Sequence, residues 1–428
     1  MKFASTRGKA PPVSFSAALL QGLAPDGGLY MPQEWPSLAG LAPGSLPELG
    51  RQLIGAFAAG DPLAGAVPAI TADAFNFPAP LKPLRGAAGV AVLELFHGPT
   101  AAFKDFGARF LAASLARIPR DTNRPLRILV ATSGDTGGAV AAAFHRRPGI
   151  EVVVLFPKGL VSPTQQQQLT CWGENVTSLA VRGTFDDCQR LVKEAFLDPS
   201  LRERVEMSSA NSINLGRLLP QAVYYAASSL ELQARTGQKA SYIIPSGNLG
   251  NAAACIWARR MGLPIDRVVL AHNANRTVPE FLQTGELRPR PSVPTLASAM
   301  DVGNPSNLER LMALFPGAGE LAGQVEAQVV DDAAISARIR ADHAAYGETW
   351  CPHTATAAEV YARLPAAERA ARQWVLVATA HPAKFREIVE PLVGKVAVPG
   401  NLQRLYDLPS RFDEIDPSLS ELRRATGD

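Results

Sequence analysis

From residue 90 onward, short runs of wholly apolar residues alternate with longer alanine-rich stretches of helical period. The apolar runs fall at 90–96, 126–132, 151–156, 176–181, 241–245, 267–271 and 374–379. Alternation of this kind predicts an α/β fold in which parallel strands are joined by crossover helices. Segments such as RILVAT and EVVVLF carry no polar alternation, which suits strands covered on both faces by helices. Residues 1–85 read differently. They hold a turn at Asp26-Gly27-Gly28 and several short helical pieces, and Pro78, Pro80 and Pro83 mark a boundary at their end. Thr184 stands three residues before Asp187, the spacing of a helix-opening capping box. The glutamine run at 165–168 belongs on a helix, and beyond residue 391 the pattern is again mixed and polar.

Composition narrows the class. A chain of 428 residues exceeds the size at which one hydrophobic core stops growing, so at least two packed units are expected. With 47% hydrophobic and 19% charged residues, it reads as an ordinary globular protein and not a disordered one. The net charge is +3 with no long basic block, which disfavours nucleic acid as a partner. Cys171, Cys188, Cys255 and Cys351 are widely spaced, so neither a metal site nor a disulfide framework is expected. The opening MKFASTRGKAPPVSF has prolines where a secretory signal needs an apolar run, and no stretch suits a membrane span. The cytoplasm is the default expectation.

Three loops could hold chemistry. In HGPTAAFKDFGARFLA, beginning at His97, a strand ends, a turn follows at Gly98-Pro99 and a helix starts near Phe103. Lys104 lies between Phe103 and Phe106, where desolvation would lower its pKa and leave the unprotonated amine that Schiff-base chemistry needs. In SYIIPSGNLGNAAACIWARRMG, a strand runs into Ser246, Gly247, Asn248, Leu249, Gly250 and Asn251 and then directly into a helix. Close backbone approach and free amides at the helix start make a cup for one phosphate monoester. It is neither a P-loop nor a dinucleotide fingerprint. In LRILVATSGDTGGAVAAAFHRR, Ser133, Asp135 and Thr136 offer hydroxyls and a carboxylate beside another helix N-terminus, suited to a carboxylate or a second phosphate.

Together with the opening Ser5-Thr6-Arg7-Gly8, DGGLYMP at 26–32, NSINLGR at 211–217, ASAMDVGNPSN at 297–307, CPHTATAA at 351–358 and ATAHPAKF at 378–385, these segments resemble the fold type II pyridoxal-phosphate enzymes, and among them the microbial threonine synthases. The resemblance spans almost the whole chain. It implies a tryptophan synthase β-like architecture: two open parallel-sheet α/β domains with helices on both faces. It further implies an N-terminal region at 1–85, a large cofactor domain at 86–125 and 196–390, a smaller α/β domain at 126–195 and a C-terminal segment at 391–428.

The same resemblance makes Lys104 the residue that carries pyridoxal 5'-phosphate as a Schiff base. It places the cofactor phosphate on the 246–251 loop, where the family often has an acidic residue at the position of Asn251. Thr379 becomes the hydroxyl facing the pyridine nitrogen. Asn211, Ser212 and Arg217 become the substrate-phosphate site, with Ser133, Asp135 and Thr136 toward the amino-acid carboxylate. No role for Ser5–Gly8 or His353 follows from their chemistry, and His381 reads as structural. The implied reaction turns O-phospho-L-homoserine and water into L-threonine and phosphate, in a monomer or homodimer. The nearest alternative is a related phospho-lyase releasing 2-oxobutyrate; a serine/threonine dehydratase leaves NSINLGR unexplained.

Overall fold

The computed structural model describes residues 1–120, 124–132 and 134–428. Its strands, in chain order, are β1 (Phe3–Ser5), β2 (Tyr30–Pro32), β3 (Leu81–Pro83), β4 (Val90–Glu94), β5 (Leu126–Ala131), β6 (Ile150–Pro157), β7 (Val176–Val181), β8 (Glu206–Ser209), β9 (Ala240–Pro245), β10 (Ile265–His272), β11 (Glu326–Val329), β12 (Gln373–Ala378) and β13 (Asp413–Ile415). Six strands form one sheet in the order β11-β10-β9-β12-β4-β3, and five form another in the order β13-β7-β6-β5-β8. Every pairing in both sheets is parallel except β3 with β4 at one edge. Pro83 sits on that edge strand, where a missing N–H costs no ladder bond.

Both sheets are covered on both faces, as their unbroken apolar runs require. In β12, Trp374, Leu376 and Ala378 join one buried cluster while Val375 and Val377 join another. In β6, Val152, Val154 and Phe156 face one cluster and Val153 and Leu155 a second. Period-two alternation here separates two cores instead of core from water. Thr184 and Asp187 form the capping box of the Phe185–Leu197 helix, and Ser162 with Gln165 caps the Pro163–Thr170 helix that carries the glutamines.

The smaller sheet extends beyond the 126–195 stretch. It takes in β8, whose Glu206 amide donates to Pro125 O, and β13, whose partner is β7. Both short segments complete open parallel edges, a long-range pairing that local patterning does not signal. The C-terminal segment thus belongs partly to the smaller unit. Its Leu419–Thr426 helix packs on the Phe185–Leu197 helix, and Asp428 is ion-paired with buried Arg127.

The Lys104–Leu115 helix is the common element. It packs against the Asp135–Phe144 helix of the smaller unit, the Val67–Ala74 helix of the N-terminal region and the Leu215–Leu218 turn. No helix among the described residues is long and apolar enough to cross a membrane.

Candidate active site

Lys104 is the first residue of its helix, immediately after a turn stitched to the end of β12. The Phe103 amide donates to Thr379 O at 2.8 Å, Ala102 pairs with Ala380, and the His381 amide donates to Ala101 O. These bonds place Thr379 beside Lys104 although 275 positions separate them in sequence. Asp105 closes the turn, accepting from the Thr100 amide at 2.9 Å and from its hydroxyl at 2.7 Å. Gly98 is required opposite it, because a Cβ there would lie 2.5 Å from the carboxylate. Burial pushes the Asp105 carboxyl up to about 6, against the Thr100 hydrogen bonds. Asp105 therefore builds the turn, as its position in the first helical turn suggests.

The Lys104 amine lies 4.9 Å from the Phe103 ring centroid and makes no hydrogen bond among the described residues. The residue as a whole is partly exposed, but the amine itself is enclosed by other side chains. Desolvation pushes it down to about 8, helped by the Arg217 and Lys384 cations and opposed by the Asp135 carboxylate. An amine in that range is about one-tenth unprotonated at pH 7, far more than an ordinary lysine, and that fraction can act as nucleophile or base.

The 246–251 loop follows β9. Leu249 adopts φ +61°, a left-handed conformation uncommon for a branched side chain, and caps the Gly250–Arg260 helix. The amides from Gly247 to Ala252 donate to no described protein acceptor. A Cβ at Gly247 would approach the Met300 backbone to 2.7 Å, so only glycine lets the chain pass here. The Ser246 hydroxyl is turned back to Ile244 O. Asn248 is fixed on both ends of its amide: Nδ2 donates to Ser212 Oγ, and Oδ1 accepts from the Ser306 amide at 2.6 Å. Asn251 accepts from the Tyr224 and Tyr225 hydroxyls at 2.8 and 2.7 Å, and its buried Nδ2 has no partner among the described residues. A cradle of open amides, with an orphaned amide donor below, fits a phosphate monoester.

NSINLGR divides by role. Asn214 is structural, donating to Leu19 O and Ser209 O and capping Gly216. Ser212 is tied to Asn248, which joins this segment to the phosphate cup. The Asn211 side chain is partly buried and makes no hydrogen bond among the described residues. Arg217 is the informative residue. It is 3% exposed and donates from Nη1 to Ala210 O, and among the described residues it has no carboxylate ion pair and its buried Nε no partner. Burial pushes its guanidinium down to about 10. A buried cation without a bonded acid is costly unless an anion joins it. Its Nε would lie 3.1 Å from a Cβ at Gly107, one helical turn past Lys104, so the two cations share one site.

The third loop opens the Asp135–Phe144 helix. Thr132 Oγ1 accepts from the Gly134 and Gly137 amides, and Gly134 has φ +149° against Gln165. Asp135 is buried and lies 2.9 Å from Lys384 Nζ, which holds its carboxyl below the usual range despite desolvation. Thr136 is partly exposed with its hydroxyl unbonded among the described residues, and Ser133 lies outside them.

Sequence reasoning assigned nothing to two groups found here. Lys384 is fully buried, and His353 is 2% exposed. His353 Nε2 accepts from the Ala299 amide at 3.0 Å, its Nδ1 has no partner, and burial pushes it down to about 4, so the ring is neutral near pH 7. Nothing local in ATAHPAKF signals the burial of Lys384, which depends on segments arriving from elsewhere in the chain. His381 is structural: its Nδ1 accepts from the Ala383 amide. Ser5 bonds Asp26 within the N-terminal region, and Thr6 ties that region to Glu309 on the Leu308–Leu314 helix. A cleft of about 670 Å³ lined by Pro163, Gln167, Arg386, Glu390 and Tyr406 contains none of the glycine-rich loops.

The chain is similar to known proteins over almost its whole length. Residues 73–380 match the pyridoxal-phosphate dependent enzyme family, 2–64 the threonine synthase N terminus and 354–425 the threonine synthase C-terminal family. The chain is 40% identical to threonine synthase of Haemophilus influenzae, covering 96% of each protein, and 37% identical to that of Escherichia coli, covering 99% of each. Among solved structures, PLP-bound threonine synthase from Brucella melitensis superposes with a TM-score of 0.90 at 34% identity, covering 99% of this chain and 98% of that one. The Escherichia coli enzyme superposes at 0.88 and 35%, covering 100% and 99%. The chain belongs to the threonine synthase family of pyridoxal-phosphate-dependent enzymes.

Proposed function

We propose that the chain converts O-phospho-L-homoserine and water to L-threonine and inorganic phosphate, with Lys104 carrying the cofactor. The observation that carries this reading is Arg217: a buried guanidinium, with no bonded acid among the described residues, beside the Lys104 amine. A second anion site next to a cofactor cup supports a phosphorylated amino acid over a plain hydroxyamino acid.

Pyridoxal phosphate, when bound, supplies an electron sink that acidifies the substrate's α-carbon. The open amides of Gly247–Asn251 would hold its phosphate, and the Thr379 hydroxyl would meet its ring nitrogen. The Lys104 Nζ would take the substrate's α-proton and later return one. Arg217 grips the substrate phosphate, orienting the γ C–O bond that breaks as phosphate leaves. Ser212, fixed to Asn248, adds a hydroxyl to that grip, with Asn211 beside it. The hydroxyls of Ser133 and Thr136 receive the α-carboxylate, while Asp135 between them stays with Lys384. A β-proton is lost and the γ-carbon gains a proton to become the methyl group, and water adds at the β-carbon to complete threonine. We place the enzyme in the cytoplasm, a setting supported by four buried free thiols.

Product analysis on O-phospho-L-homoserine tests the reading. Wild type should release threonine and phosphate in equal amounts, and Lys104→Ala neither. A main product of 2-oxobutyrate would replace it with the phospho-lyase reading, and equal activity in both variants would sink the role of Lys104.

A further inference from the structure

Lys384 stands on the Pro382–Phe385 turn that follows β12, and none of its side chain reaches solvent. Its Nζ donates to Thr100 O at 2.8 Å, in the turn that leads into Lys104, and lies 2.9 Å from Asp135 Oδ1. Asp135 is the first residue of a helix in the smaller unit. A second residue of that unit, buried Gln168, donates to the same Thr100 carbonyl at 3.1 Å. The pair therefore spans the two units directly behind the lysine turn.

Burying an ion pair is a poor route to stability, because desolvation offsets most of the attraction. The surroundings suggest another use. Lys104 feels Arg217 and Lys384 as repelling cations and Asp135 as an attracting carboxylate. Asp135 in turn feels Lys384 most strongly, then His353 and Lys104. Asp105 also senses Lys384 and Arg109, but its oxygens are occupied by Thr100. His353 is neutral near pH 7 and adds no charge. Of the acids near Lys104, Asp135 has no competing protein hydrogen bond among the described residues besides its contact with Lys384.

We propose that Lys384 is a positioning residue for Lys104: by pairing with Asp135 it keeps that carboxylate from drawing Lys104 into an ammonium–carboxylate pair, so that the Lys104 amine retains its lone pair. The inference rests on the reading of Lys104 as the cofactor-bearing base. It gives Asp135 an electrostatic role beside any contact with substrate, and it makes the proton affinity of Lys104 depend on how the two units are packed.

The test titrates Lys104 itself, by competitive acetic anhydride labelling of the full chain freed of cofactor and peptide mass spectrometry across pH. Lys384→Met should raise the midpoint by about one pH unit, tenfold in proton affinity. Adding Asp135→Asn to Lys384→Met should return the midpoint to within about half a unit of wild type, since both opposing charges are then gone. A folded Lys384→Met with an unmoved midpoint overturns the proposal, as does a double variant that stays shifted with the single. Should Lys384→Met fail to fold, Lys384→Gln, which lacks the charge but can still donate to the Thr100 carbonyl, is titrated in its place against its own Asp135→Asn double variant, and an unmoved midpoint overturns the proposal. A purely structural Lys384 would change the melting temperature without moving the Lys104 midpoint. Borohydride reduction of the holoenzyme separately maps the cofactor attachment, so failure of the Lys104 assignment is distinguishable from failure of the pair.

Discussion

At the residue scale, two cations share one buried site but differ in chemistry. Lys104 is pushed down to about 8 by desolvation, whereas Arg217 stays charged and waits for an anion. A depressed amine is protonated below its value and free above it. Attachment of pyridoxal phosphate to cofactor-free protein should therefore accelerate from pH 7 to pH 9 and level off beyond, as followed by absorbance; a rate flat across that interval contradicts the depressed amine. Arg217→Ala should lower kcat/KM on O-phospho-L-homoserine by about 10²-fold, the scale of a lost buried charge contact, while cofactor occupancy is retained. Arg217→Lys should recover little of this, because a lysine cannot reproduce the planar fork. Steady-state kinetics with a parallel cofactor spectrum checks both variants. Loss of cofactor in step with activity would place Arg217 at the cofactor phosphate instead.

At the element scale, close packing against glycine sets the geometry. Gly107 lets the Lys104–Leu115 helix touch the Arg217 backbone, since a Cβ would meet Arg217 O at 2.5 Å. Gly107→Ala should cost about 1–3 kcal/mol by overpacking and raise KM by displacing the guanidinium. Urea unfolding and kinetics together test this, and a variant of wild-type stability would show that the segment can shift freely. Gly247→Ala presses on the Met300 backbone instead, at the cofactor cup. Its expected signature is about tenfold weaker pyridoxal phosphate binding, roughly 1.4 kcal/mol, with the phosphate-ester site intact. Equilibrium dialysis gives the answer directly. The strand–loop–helix units were legible in the sequence because each is local: an apolar run, a glycine turn and a helix start within twenty residues. Leu249 in a left-handed conformation was not, since nothing in its side chain demands it.

At the scale of the whole molecule, the smaller unit is assembled from separated stretches of chain. β13 pairs with β7, Arg182 donates to Asp416, and Arg127 holds Asp428. Removing residues 411–428 should leave the large sheet intact and loosen the 126–209 region, because β7 then becomes an open edge and Ile415 and Leu422 leave the core. Hydrogen exchange would show this as lost protection in β7 before β9 or β12. Uniform loss across both sheets would mean that the two units unfold as one.

The sequence by itself determined the parallel α/β plan, the three strand–loop–helix units and the place of Lys104 at a helix start. Unbroken apolar runs leave no solvent face, and glycines beside helix starts announce anion sites. Arg217 was legible through its motif, but its burial and missing acid partner were not, because they depend on Gly107 and Ala210 arriving from other elements. Only the tertiary structure decided that Thr379 lies against Lys104, that β8 and β13 complete the smaller sheet, and that Lys384 meets Asp135. Each is a contact between distant segments, set by how the sheets and helices pack together, and no local pattern of polar and apolar residues encodes which distant group will arrive.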